Sequence, residues 1–327
     1  MSSRSGFDRI IGQQLAKRVL IGAVREGRVG HAYLFLGLQG TGKLTTALEF
    51  AKALNCESPI AGQACGICAI CRAIEHGNFP DIRVWSPKGQ NTTIDSMREM
   101  RELSTFRPSR GKWAVNIIEQ GDTLNEEAAN CILKLLEEPP DYLINILLFR
   151  NSANVLPTIR SRCQLVRFEQ ANSNELAERL IEDHGASVEE AALFSHYSQG
   201  RPGEAITLLR DSEFLSVRET IADIADATSG GNVWAALRLA EKLRGGASET
   251  PDAEGDAEES SPTQPSSVRR GVRETTLWSL DILLIWYRDL LAISLLGEEA
   301  EIINNDKREA LLRQAKRHTH AGHLLKG

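Results

Sequence analysis

Residues 36–45, LGLQGTGKLT, constrain the fold of this 327-residue chain more than any other stretch. They follow the phosphate-loop pattern G-x-x-x-x-G-K-[ST]. In that pattern glycines let backbone N–H groups turn inward on phosphate oxygens, and a lysine adds a point charge. Gly37, Gly40, Gly42 and Lys43 are the candidate nucleotide-binding residues. An apolar run at 32–35 precedes the loop and a helical pattern at 45–54 follows it, the strand–loop–helix setting that the motif needs. The final position departs from the pattern. Leu44 stands where a hydroxyl would hold Mg²⁺. Each further helical residue turns by about 100°, so neither Thr45 nor Thr46 simply substitutes. Mg²⁺ binding is not expected, and the loop alone leaves ATP binding open.

Around the loop, apolar strand-like runs at 81–85, 114–118, 145–149 and 163–168 alternate with helical patterns at 14–26 and 94–103. A further helix is capped by Asn125, carries Glu126 and Glu127 in its first turn, and stops at Pro139-Pro140. This alternation predicts an α/β domain with a doubly wound parallel sheet over residues 1–168. Beyond Phe168 no strand pattern appears, and nearly every segment to residue 244 is helical. Residues 245–267, GGASETPDAEGDAEESSPTQPSS, combine Gly, Ser, Pro and acids with almost no apolar residues, which predicts a disordered insertion. Helical patterning resumes at 268 and includes an amphipathic stretch at 277–296.

Cys56, Cys65, Cys68 and Cys71 are spaced C-x8-C-x2-C-x2-C. Four thiolates within one short stretch suit a closed, tetrahedral, structural zinc site. The other readings are four reduced thiols in a loop, or an iron–sulfur cluster. Cys131 and Cys163 fall on a helix and at a strand start, as packing residues. Composition narrows the function classes. A net charge of −6 provides no global basic field to draw the chain to nucleic acid. No apolar stretch reaches the ~18 residues of a membrane span. The N-terminus lacks the apolar core of a signal peptide. A cytoplasmic protein with no membrane partner is expected, its cysteines serving as metal ligands or free thiols before disulfides.

HAYLFLG (31–37) leading into the loop, the four cysteines after the loop's helix, AANCILKLLEEPP (128–140) and LPTIRSRCQ (156–164) occur in an order that resembles bacterial replicative clamp-loader subunits of the AAA+ class. The resemblance runs from Phe7 to about Asp306. It implies an AAA+ domain at 1–168 with its zinc module at 56–71, a helical lid at 169–210, and a helical collar at 211–327. It also implies a ring with other subunits, of gamma/tau and delta type, that loads a sliding clamp on primed DNA.

Within the family the residues point to a non-hydrolysing subunit of delta-prime type. Leu44 replaces the Mg²⁺ hydroxyl. The Asp-Glu expected after an apolar strand is Glu119-Gln120, and an amide cannot take a proton from water. The lid arginine of such ATPases falls at Gly203, in QGRPGEA, with Arg201 two residues away. SPKGQNTTIDSMREM (86–100) and WYRDLL (286–291) are also similar to the delta-prime pattern. Arg162, in the SRC motif, has kept its identity. The resemblance assigns it as an arginine finger acting in trans on a neighbour's ATP, with Arg160 the weaker candidate. Two alternatives stand beside this reading. One is an ATP-hydrolysing gamma/tau-like subunit. The other is a zinc-containing nucleic-acid-binding protein with a vestigial nucleotide fold.

Overall fold

The computed structural model describes residues 4–87, 94–211, 214–229 and 272–317, together with helical positions 234, 237, 238 and 241. The proposed insertion at 245–267 lies outside the described residues, as does 88–93 of the delta-prime-like stretch. The described chain divides into two compact units, one of residues 1–186 with 198–205 and one of 187–197 with 206–327.

The first unit is built on five parallel strands, β1 (Ala32–Leu36), β2 (Ile82–Trp85), β3 (Ala114–Ile118), β4 (Leu143–Phe149) and β5 (Gln164–Arg167). Their spatial order is β2-β3-β4-β1-β5. Parallel strands need long crossovers, and helices supply them: α2 (Lys43–Asn55), α3 (Ala69–Glu75), α4 (Ile94–Leu103), α5 (Glu126–Glu137) and the short α6 (Pro157–Arg160), with α1 (Gln14–Glu26) before the first strand and α7 (Ser173–His184) after the last. All residues of β3 and β4 are buried, as expected where helices cover both faces of a sheet. Alternate side chains feed two cores. Tyr33, Phe35, Val115, Ile117, Ile144 and Ile146 pack with Leu20 and Phe50 on one face. Leu34, Ile118, Leu147 and Phe149 pack with Met97, Met100, Ile132 and Leu136 on the other. The doubly wound α/β sheet read from the sequence is therefore the observed fold.

All five apolar runs became strands. β4 starts two residues earlier than expected, because Leu143 and Ile144 extend the buried run. The loop's helix starts at Lys43, inside the motif, and Asn125 caps α5 by accepting the Ala128 N–H at 2.8 Å.

The second unit is all-α among the described residues. It contains α8 (Val188–Tyr197), α10 (Phe214–Ser229), α11 (Val272–Leu296) and α12 (Arg308–Arg317); α9 (Pro202–Arg210) begins in the first unit and ends in this one. Trp286, Leu290, Ile293, Ile302 and Leu311 form its core with Ala225. These helices resemble the lid and collar domains of AAA+ clamp-loader proteins. No described helix is long and apolar enough to cross a membrane.

Candidate functional site

The phosphate loop joins the carboxyl end of β1 to α2, at the edge of the sheet where ligands of such folds bind. Gly40 and Gly42 have φ of 81° and 90°, the left-handed region where a side chain would be strained. Lys43 is 9% exposed and folds back on the loop, donating to the carbonyls of Gly37 and, at 2.7 Å, Leu38. Burial pulls its pKa down to about 8, against a favourable contribution from Asp122. Its ammonium therefore lies in the loop where an anion would meet it.

Gln39, Gly40, Lys43 and Leu44 line one side of a pocket; Glu119, Gln120 and Arg150 line another. Leu44 presents an apolar side chain there. Thr46 is fully buried and donates its hydroxyl to Gly42 O at 2.7 Å, so it is committed to the helix. Thr45 is exposed and does line the pocket. Glu119 accepts a hydrogen bond from Ser86. Gln120 sits at the turn after β3 with φ of 49°.

Gly203, at the start of α9, donates its N–H to Gly40 O at 2.8 Å. A Cβ at 203 would stand 3.1 Å from Gly40 Cα, so backbone lies on backbone where a resembling ATPase would carry an arginine. Arg201 does not take over that place; its Nε donates to Ser198 O at 2.9 Å.

One residue of this pocket, and one that supports it, escaped the sequence reading. Arg150 follows β4 and lines the pocket, and Asp122 positions it by accepting the Arg150 N–H at 2.6 Å and the Asn151 N–H at 3.2 Å. Neither belongs to the glycine-loop pattern. Their only sequence signal is position, just beyond the carboxyl ends of two apolar runs.

The four clustered cysteines do meet. Their sulfur atoms all lie within 4.8 Å of one another. Zn–S bonds of about 2.3 Å put tetrahedral thiolates about 3.8 Å apart, so a small inward shift closes the site. The backbone prepares it. Cys65, Cys68 and Cys71 N–H groups point at the sulfurs of Cys56, Cys65 and Cys68, at 3.3, 3.4 and 3.4 Å. N–H groups of Ile67 and Cys68 hold the Cys65 thiol down at about 6, whereas burial pushes the Cys56 and Cys71 thiols up. The donor set fits a structural Zn²⁺. Cys131 is buried in the sheet–helix core, and Cys163 packs beside it with a thiol that burial pushes up to about 12.

This assignment predicts one Zn²⁺ per chain by elemental analysis. Cys65→Ser with Cys68→Ser should abolish it. Because thiolates must shed protons to bind, zinc should also be released as pH falls. Zinc retained by the double variant would refute the cysteine site.

Arg162 lies in the turn between α6 and β5. It pairs with Glu137 of α5 at 2.9 Å and donates to Thr158 O at 3.1 Å, with its side chain 36% exposed. Glu137 was not singled out in the sequence.

Residues 12–172 match the family described as "DNA polymerase III, delta subunit". DNA polymerase III subunit tau of Bacillus subtilis is 33% identical over 226 residues, which are 68% of this chain and 40% of that protein. Subunit gamma of Buchnera aphidicola is 32% identical over 62% of this chain and 56% of its own length. Subunit delta' of Bacillus subtilis is 28% identical, over 94% of this chain and 85% of its own. The chain belongs to the AAA+ clamp-loader family of DNA polymerase III. It spans about half the length of the tau and gamma relatives that it matches. Within the clamp-loader family it is related to both delta-prime and gamma/tau proteins, and the higher identities are with tau and gamma. They favour the hydrolysing alternative over the delta-prime reading.

Proposed function

We propose that this clamp-loader subunit works in a hetero-oligomeric loader as a non-hydrolysing, delta-prime-like member. In this reading residues 169–210 serve as lid and 211–327 as collar. It stands beside gamma/tau- and delta-type subunits in the cytoplasm, helps place a sliding clamp on primed DNA, and offers Arg162 to a neighbour's ATP. The observation that carries the reading is the docking of Gly203 on Gly40. Position 203 lines the pocket without a side chain to reach a γ-phosphate, and a Cβ there would crowd Gly40 at 3.1 Å. Leu44 and Gln120, both facing the same pocket, remove the metal hydroxyl and the base. The similarity to the delta' protein over nearly the whole chain supports it.

The second reading is an ATP-hydrolysing gamma/tau-like subunit, favoured by the higher identities to tau and gamma and by the Thr45 hydroxyl in the pocket. ATP turnover by the purified chain separates the two. Background-level hydrolysis, unchanged by Leu44→Thr, is expected. Turnover on the order of 1 s⁻¹ or more, in the range typical of enzymes, and abolished by Lys43→Ala, would establish the second reading instead.

A further inference from the structure

Besides α2, which runs from Lys43 to Asn55 just before Cys56, one short segment, residues 5–13, reaches both the metal module and the phosphate loop. At its first end, the Phe7 N–H donates to Gln63 Oε1 at 3.1 Å. Gln63 is itself fixed between two cysteine ligands by paired 2.9 Å bonds between its backbone and that of Ile60. Phe7 is 1% exposed and packs in the cluster that contains Ala64 and Cys71 and is edged by Cys56, Cys65 and Cys68. At its far end, Ile10 Cγ2 is the nearest atom to the position a Cβ on Gly42 would take, at 3.9 Å. Lys17 anchors the Ile10 carbonyl at 2.6 Å. Gln13, held at φ of 57°, donates to Thr41 O at 3.3 Å and to Glu169 O at 2.6 Å, and accepts the Glu169 N–H at 3.1 Å. A second connection runs alongside. Glu75, at the end of the helix that carries Cys71, accepts from Arg9 at 2.7 Å and from buried Lys52, and Lys52 also donates to Glu49 at 2.9 Å.

We infer that the metal at the four cysteines holds the phosphate loop in shape through this strap, with Gln63 and Gln13 as positioning residues at its two ends. The inference rests on the metal assignment and not on whether the pocket hydrolyses ATP. The physical reason is ordering. A loop whose glycines favour many conformations is held only by what touches it. Thr41 is held by Gln13, and Ile10 stands beside the place where a side chain on Gly42 would go. Those residues follow Phe7, whose seat is the cysteine loop. Without metal, no bond ties the four cysteines to one another, Gln63 loses its fixed place, and the strap loses its first anchor. The opposing case is also built into the fold. Arg179 donates to the Asp8 carbonyl at 3.1 Å, and Glu175 accepts the Gly12 N–H at 3.0 Å, so α7 holds the strap from its other side. The experiment decides which anchor dominates.

Hydrogen–deuterium exchange of the full chain reads it directly, in peptides covering 5–13, 36–46, 56–75 and the strands at 114–118 and 143–149. Zinc removal by a chelator should speed exchange at 36–46 by about tenfold, the scale of a local opening made easier, while the strands keep their protection. Gln63→Ala, which keeps all four ligands and therefore its zinc, should speed exchange at 5–13 and 36–46 and leave 56–75 protected. Gln13→Ala should affect 36–46 alone. If chelation exposes the strands as well, the Gln63→Ala result decides. Unchanged exchange at 36–46 in zinc-loaded Gln63→Ala would overturn the inference, as would a chelation effect confined to 56–75. Failure to bind zinc at all would instead refute the metal assignment.

Discussion

Arg162→Ala is expected to lower ATP turnover in a reconstituted loader by about 10³-fold at each site the residue serves, the scale of a lost arginine finger. A guanidinium against a γ-phosphate stabilises charge that develops in the transition state, and water cannot be held there in the same geometry. In the isolated chain the side chain is parked on Glu137 and the Thr158 carbonyl. That tether is cheap to leave. An ion pair this exposed contributes about 0–1 kcal/mol, far less than the roughly 4 kcal/mol that corresponds to a thousandfold rate effect. Glu137→Ala should therefore change turnover only a few-fold, while Arg162→Lys should rescue poorly, because one compact charge replaces a planar fork. Arg160→Ala is the control. The measurement is clamp- and DNA-stimulated hydrolysis, with ring assembly followed by sizing. Unchanged turnover with Arg162→Ala would make the residue a surface charge and the chain a scaffold.

Much of the first unit could be read in advance because burial on both faces leaves little choice. Runs such as AVNII and LINILLF can only be interior strands of a covered sheet, and Asn125 followed by two acids can hardly begin anything but a helix. The cysteine cluster was legible for a similar reason, since its ligands are close in sequence. The pocket was legible only in part. Gly37, Gly40, Gly42 and Lys43 form one contiguous motif, whereas Gly203 reaches the loop and Arg150 the pocket from two other places in the chain, and Asp122 holds the Arg150 backbone from a third. Their convergence is a product of strand order, which periodicity does not encode. Glu137 as the partner of Arg162 was hidden in the same way, with α6 and the β4 strand between them in sequence. In the all-α unit, the pattern marked helices but gave no sign that a polar residue would lie at the centre of their packing.

That residue is Asp289, and Asp289→Ala is expected to destabilise the helical unit by about 3–5 kcal/mol, the scale of leaving several buried donors without an acceptor. The carboxylate is fully buried on α11. It accepts the Ile303 N–H at 3.1 Å, the Asn304 N–H at 2.8 Å and the Asn304 side-chain amide at 2.8 Å, and pairs with Arg288 at 2.8 Å. Asn304, also fully buried, is thereby turned so that its Oδ1 accepts from Tyr197 at 2.8 Å and from Arg218 at 2.7 Å. Removing Asp289 leaves two backbone donors and an amide without acceptors inside the unit, each costing about 1–3 kcal/mol, and frees the acceptor on which Arg218 and Tyr197 depend. Asp306 is the natural control. It also binds Arg218, at 2.6 Å, but stands 47% exposed, where water can replace it. Burial raises its pKa, yet the hydrogen bond and charge of Arg218, with a backbone N–H and the charge of Lys307, together outweigh this and hold the carboxyl below its ordinary value. Its contribution is therefore present above the unfolded carboxylate pKa and lost as pH falls through the lower folded one. Asp306→Ala should cost well under the Asp289 figure and remove only that acid-side dependence. Trp286, buried beside Asp289 in the core, reports the transition by fluorescence in urea, and amide exchange at 303 and 304 localises it. Equal losses for the two variants would mean that the network is held from its exposed end, and that Asp289 is not its keystone.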